Sequence, residues 1–148
     1  MVKQTTFAKQ AELLKILSHP KRIEILSLMR SQPLTVGQIA KMSGLRQPTV
    51  SQHLMQLRQL GIVSAKKQGK EMYYVVADHA YIKILDTVRA VLGLSTPSLS
   101  KPVVVDPVCH MHLTVSSASY THEYNGVKHY FCGKGCLQSF RREHERQL

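Results

Sequence analysis

Between Ser95 and Pro102 the chain reads Ser-Thr-Pro-Ser-Leu-Ser-Lys-Pro, two prolines and three serines with no apolar period. Such a stretch neither continues a helix nor pairs as a strand, and it reads as a linker over 95–103. It divides the 148 residues into a block over 1–94 and a block over 104–148. The division also sorts the chemistry. Of 20 Lys and Arg and 9 Asp and Glu, 14 and 5 precede residue 98, so the formal charge of +11 lies almost wholly in the first block. Five of the eight His and all three Cys fall in the second. A basic excess of this size favours nucleic acid or another anionic surface as partner. Three cysteines, an odd number, confined to 109–136 speak against a disulfide framework and for metal or thiol chemistry. No apolar run approaches the ~18 residues of a membrane span. Met1 to Gln10 lacks the apolar stretch of a signal peptide. The expectation is a cytoplasmic protein with no membrane partner.

The first block predicts five helices and a hairpin. Phe7, Ala11, Leu14 and Leu17 recur at helical spacing, and Pro20 suits the first position of a second helix running to about Arg30. Thr35 caps a short helix over Val36–Met42 that Gly44 closes. Pro48 stands in the first turn of the next helix, with Val50, Leu54 and Leu57 on its core face and Gly61 at its end. Ile62–Lys67 and Glu71–Val76 flank Gln68-Gly69-Lys70 as hairpin strands. Asp78 then caps a helix whose stripe of Tyr81, Ile84, Leu85, Val88, Val91 and Leu92 reads as core, packed on another helix of this chain or of a second subunit.

Two helices joined at Ser43-Gly44-Leu45 and followed by a hairpin make a winged helix-turn-helix, whose second helix enters the major groove. Its start offers Gln47, Thr49, Ser51, Gln52 and His53, preceded by Arg46. Amides pair with adenine edges, and hydroxyls and the guanidinium reach bases or phosphates. Lys66, Lys67 and Lys70 on the wing suit phosphate contact and carry no base code. Residues 10–93 resemble the ArsR-type winged-helix repressors through Leu17-Ser-His-Pro-Lys-Arg-Ile-Glu-Ile-Leu26, Gly44-Leu-Arg-Gln-Pro-Thr-Val-Ser-Gln-His-Leu54 and Leu57-Arg-Gln-Leu-Gly-Ile-Val63. Lys67-Gln-Gly-Lys-Glu-Met-Tyr-Tyr74 follows in register. The resemblance implies a homodimer built on the first and last helices, bound to an inverted-repeat operator in double-stranded DNA and released by an effector. Three features depart from the family. Arg46 stands where it usually has a capping Ser. Residues 35–42, Thr-Val-Gly-Gln-Ile-Ala-Lys-Met, lack the sensor cysteines that many members carry there. Asp78, His79 and Asp86 are present, but no further ligand follows them at metal spacing.

In the second block, Asn125-Gly126 between Ser119–Tyr124 and Val127–Phe131 predicts a hairpin. Cys132-Gly-Lys-Gly-Cys136 follows, then a short helix with Leu137, Phe140 and Arg141 on one side. Cys-x3-Cys with two glycines holds two thiols close, and Cys109 from an earlier segment completes three sulfur ligands. Cys136 opens the helix, where the helix dipole is expected to lower its thiol pKa. Residues 104–148 resemble the YHS domain, related to TRASH metallochaperone-like domains, through Val105-Asp-Pro-Val-Cys-His-Met111 and Tyr124-Asn-Gly-Val-Lys-His-Tyr-Phe-Cys132, with Cys136 and Phe140 in place. This implies a treble-clef-like metal site. The family commonly has Gly after the first Cys, where this chain has His110. His110, His112 and His129 are candidate fourth ligands, and Met111 is a soft donor beside Cys109. Three thiolates alone suit Cu(I), whereas Cys3His suits Zn(II).

The expected fold class is therefore α+β: a winged helix-turn-helix of five helices and a β-wing, followed by a small metal domain of hairpin and helix. The expected function is a repressor whose operator binding answers to a thiophilic ion at Cys109, Cys132 and Cys136. Two alternatives stand beside it. One is a thiol or persulfide switch; the other is a structural or metal-delivering C-terminal module. No Ser-His-Asp order, phosphate loop or paired-carboxylate pattern is visible, so no enzyme is expected.

Overall fold

The computed structural model describes residues 5–94, 103–115 and 117–145. The proposed linker lies outside the described residues except for Val103, which begins a strand. The helices are α1 (Thr6–Leu17), α2 (Pro20–Leu28), α3 (Val36–Ser43), α4 (Gln47–Gln59), α5 (His79–Val91) and α6 (Lys134–His144). The strands are β1 (Leu34–Thr35), β2 (Val63–Gln68), β3 (Glu71–Val76), β4 (Val103–Val105), β5 (His112–Thr114), β6 (Tyr120–Tyr124) and β7 (Val127–Phe131). The short strands β1, β4 and β5 have no counterpart in the sequence reading. Each is two or three residues long, too short to show a period.

Local chemistry sets the helix-turn-helix. The Thr35 hydroxyl accepts from the Gln38 N–H while the Gln38 side chain accepts from the Thr35 N–H, a capping box that fixes the start of α3. Gly44 ends α3 with φ 75°, a left-handed turn that an L side chain resists. Arg46 occupies the N-cap of α4 without a side-chain capping bond. The wing is antiparallel, in the order β1-β3-β2, with Val63 opposite Val76 and Gln68 opposite Glu71.

Ile25, Leu26, Ile39, Val50, Leu54, Leu57, Ile62, Val63 and Ile82 are buried between these elements. On α5 the sequence expectation needs correction within a single chain. Ile82 and Leu85 are buried, but Val88, Val91 and Leu92 are exposed at 49%, 81% and 65%. Phe7 and Leu14 of α1 are exposed as well. One chain supplies a partner for only the inner half of the stripe.

Beyond residue 103, β4 pairs with β5 and β6 with β7, the latter around Asn125-Gly126 with both residues at positive φ. Phe140 of α6 centres this block, ringed by His122, Tyr124, His129, Phe131 and His144 at centroid distances of 4.1–6.3 Å. The two blocks share one hydrophobic core: Met111, Leu113, Phe131, Cys132, Cys136 and Phe140 are continuous with the residues of the first block, and α6 lies against α3. Among the described residues no helix is long and apolar enough to cross a membrane.

Candidate metal centre and nucleic-acid interface

Three segments converge on one buried point. Cys109 comes from the turn between β4 and β5, Cys132 from the end of β7 and Cys136 from the first turn of α6. Cys109 Sγ lies 3.5 Å from Cys132 Sγ, and Cys132 Sγ lies 3.7 Å from Cys136 Sγ. All three are free thiols; Cys132 and Cys136 are buried and Cys109 is half-buried. With an ion-to-sulfur bond of ~2.3 Å, neighbouring sulfurs sit roughly 3.8 Å apart in a tetrahedron and 4.0 Å apart in a trigonal plane. The observed separations are within a few tenths of an ångström of either. The donor set is soft, convergent and largely buried, and it fits a thiophilic ion.

Asp106 belongs to the same group, with a carboxylate oxygen and the three sulfurs all within 4.8 Å of one another. It is fully buried, and its partners are backbone amides. Oδ1 accepts from the N–H groups of Val108 and Cys109, and Oδ2 accepts from the N–H of Cys132 at 2.8 Å. One carboxylate thus ties the Cys109 turn to the end of β7. The sequence reading missed this residue. Its signal was available, because an Asp two and three residues ahead of free backbone N–H groups makes an Asx turn.

The thiols differ in acidity. Hydrogen bonds from Cys132 and then Cys136 hold Cys109 well below the usual thiol range. Cys132 is pushed up by its hydrogen bond to Cys109, then by Cys136 and by burial. Cys136 is also pushed up, first by its hydrogen bond to Cys109, against the expectation from its place at the start of α6. Burial and the neighbouring charges of Asp106 and Cys109 push it the same way. Cys109 is the most accessible of the three.

None of the candidate histidines is in the group. His110 and His112 are exposed. His110 holds φ 60°, a left-handed conformation, which explains why a glycine is at home there. His129 packs on Phe140 at 4.8 Å. Met111 is buried in the shared core, and its carbonyl accepts from the Asp106 N–H.

On the DNA-reading side, Arg46, Gln47, Ser51 and Gln52 are exposed along the start of α4, and Thr49 is half-exposed. Lys66, Lys67 and Lys70 are exposed on β2 and the wing turn. His53 faces inward instead. Its ring lies 4.7 Å from that of His19, and its Nδ1 is buried without a hydrogen-bond partner. Burial, then the charges of His19, Arg22 and Lys21, lower its pKa.

Comparison with known proteins matches both halves. The model for "Bacterial regulatory protein, arsR family" matches residues 19–65, and that for the YHS domain matches residues 104–147. The nodulation protein NolR of Rhizobium meliloti is 34% identical over 95 residues, 64% of this chain and 78% of that protein. The biofilm growth-associated repressor of Agrobacterium fabrum is 32% identical over 81 residues, covering 55% of this chain and 69% of that protein. A homodimeric winged helix-turn-helix DNA-binding domain from Mycobacterium bovis, described as a possible ArsR-family regulator, superimposes with a TM-score of 0.55 at 26% identity. It covers 63% of this chain and 91% of that one.

Proposed function

This chain belongs to the arsR family of bacterial regulatory proteins, and from that membership we propose that it is a cytoplasmic, dimeric repressor whose hold on operator DNA is set by a thiophilic metal ion. The observation that carries the reading is the cluster of Cys109, Cys132 and Cys136, with sulfurs 3.5 and 3.7 Å apart, in a chain that also carries a helix-turn-helix. Helix α4 enters the major groove with Arg46, Gln47, Thr49, Ser51 and Gln52 toward bases and phosphates, and Lys66, Lys67 and Lys70 grip the backbone. The exposed apolar faces of α1 and α5 form the dimer, which sets two half-sites roughly 34 Å apart in an inverted repeat.

Cu(I) is the favoured ion. The histidines are outside the group, and the Asp106 carboxylate is engaged by three backbone N–H groups. That leaves three sulfurs, a set that suits Cu(I). Zn(II) would need to recruit Asp106 as a fourth ligand. The ion supplies crosslinking of three chain segments; the chain supplies their position. The test is fluorescence anisotropy on a DNA site selected in vitro, with Cu(I) under anaerobic conditions, Zn(II), Ag(I) or Hg(II). A shift in affinity with one of these ions, absent in Cys132→Ser, supports the reading. Indifference to all four overturns it.

The 3.5 Å approach of Cys109 to Cys132 also favours a second reading, a dithiol switch. Two thiols would give up two electrons and two protons to peroxide, forming one disulfide and two waters. Peroxide weakening DNA binding in metal-free protein, with a Cys109–Cys132 linked peptide by mass spectrometry, would support it over the metal reading.

A further inference from the structure

The segment that carries two of the three sulfurs, from the end of β7 into the first turn of α6, is pressed, backbone to backbone, onto the DNA-reading motif. A Cβ placed on Gly133 would stand 2.2 Å from the carbonyl oxygen of Met42. One on Gly135 would stand 1.9 Å from the carbonyl oxygen of Lys41 and 2.7 Å from the backbone N of Gly44. These obstacles are backbone atoms at the end of α3 and in the left-handed turn, and they cannot swing aside as a side chain would. On the far side of that contact the turn is held taut: Ser43 is buried and its hydroxyl accepts from the Leu45 N–H at 3.2 Å. Helix α4 begins two residues later, at Gln47.

We infer that the Gly133–Gly135 contact with the end of α3 is the route by which the thiol cluster acts on DNA binding, in cis and within each subunit. This rests on the metal-responsive reading above and adds the regulatory surface of that site. The argument is mechanical. Cys132 and Cys136 bracket the two glycines, so any change in where those sulfurs sit moves the loop. At the two glycines themselves no side chain stands between this segment and α3 to absorb the movement. Close-packed elements of this kind shift as bodies rather than deform smoothly. Cys132 also lines a cavity of about 70 Å³, with Leu28, Arg30, Arg89, Met111 and Ser117 among its other walls. Movement of the end of α3 re-aims the turn at Gly44 and so the start of α4, where the base-reading side chains stand.

The test compares the full-length chain with Gly135→Ala, using Cu(I) under anaerobic conditions and Zn(II) as probes. Alanine is the better helix former, so α6 itself is not weakened by the change. The variant is expected to keep its metal stoichiometry and its thiolate-to-metal absorption. The ratio of DNA affinities with and without ion, on the order of 5–150-fold for a typical allosteric coupling, is expected to fall to about one. A variant that holds the ion and keeps the wild-type ratio overturns the route and leaves the functional reading intact. A wild-type chain that binds DNA equally well with and without either ion overturns the functional reading and this route with it. Hydrogen exchange on the wild-type chain gives an answer independent of the variant. Ion addition is expected to change the protection of the amides of Gly44 and Leu45, and unchanged exchange across residues 40–47 overturns the route.

Discussion

Helix α4 buries Val50, Leu54 and Leu57 in a core built from five helices and a wing, mostly of branched aliphatic side chains with Met29 and Met42 among them. The block beyond residue 103 has a different interior. It buries Phe131, Phe140, Met111 and Leu113, and the remainder of its centre is two cysteines and the carboxylate of Asp106. The first is held by packing, the second by one polar hub and by leaning on α3, around three free thiols. A block of about 45 residues removes too little apolar surface from water to stand firmly alone. On the proposed function, an ion at its thiols would supply folding energy as well as a signal, because structural zinc-thiolate sites are worth roughly 10–16 kcal/mol in apparent affinity.

The largest expected effect separates the two halves. Stripping metal from the loaded chain with a chelator, or replacing Cys132 by Ser, is expected to erase hydrogen-exchange protection across β6, β7 and α6. Protection in α2 and α4, whose cores contain no sulfur ligand, is expected to survive. The wild-type stoichiometry is expected near one ion per chain and near zero in Cys132→Ser by elemental analysis. Equal loss of protection in both halves would show that the shared core, not the ion, governs the second block.

Next in size is Asp106→Asn. The amide keeps the shape but turns one acceptor into a donor facing backbone N–H groups, leaving a buried amide unpaired at a cost of about 1–3 kcal/mol. Outer-sphere partners of metal ligands typically carry about 10–100-fold in affinity. The variant is therefore expected to bind the ion that much more weakly, with the absorption envelope of a three-sulfur complex unchanged. A changed envelope would mean that Asp106 is itself a ligand.

Much of this was legible in the sequence, and the failures have causes. Thr35, Gly44, Asp78 and Asn125-Gly126 announce their caps and turns by residue type, and the structure has each in that role. The three cysteines were brought together by spacing and family pattern. The docking of the second block on α3 was not legible, because Gly133 and Gly135 look in sequence like turn glycines. Only the Met42 and Lys41 carbonyls opposite them show that they are close-contact glycines. Asp106 was missed because its partners are backbone amides, which have no letter in the sequence. His53 stands among the expected DNA contacts because it closes the polar run over 47–53 at the start of α4, and its packing on His19 is a tertiary contact that the run does not show.

A smaller effect, and one of opposite sign, is expected at His110. A non-glycine residue at φ 60° costs about 1–2 kcal/mol relative to an unstrained backbone. His110→Gly is expected to stabilise the second block by about 1 kcal/mol after the entropy glycine adds to the unfolded chain. Ion affinity is expected to be unchanged. A loss of Zn(II) or Cu(I) affinity in His110→Gly would instead bring the imidazole into the ligand set.

The smallest effect tests the contrast between the two carboxylates, Asp106 in the second block and Asp86 in the first. Asp86 of α5 accepts from the Arg30 guanidinium at 2.7 and 3.0 Å, and that hydrogen bond, opposed by partial burial and aided by the charges of Arg30, Arg89 and His79, lowers its pKa. Both side chains keep about a quarter of their surface in solvent, 24% and 27%, so the pair is discounted to about 0.2–1 kcal/mol. The sign follows from the direction of the shift. A carboxyl more acidic in the folded chain than in the unfolded one adds stability above the ordinary carboxylate pKa of ~3.9 and loses it as pH falls through the folded value. Asp86→Asn is therefore expected to lower the melting temperature of the first block slightly and equally from pH 7 to pH 5, with the difference from wild type closing below pH ~4. A difference that persists unchanged at pH 3 would mean that Asp86 acts through its hydrogen bonds rather than through its charge, and would narrow its contrast with Asp106, whose partners are backbone N–H groups.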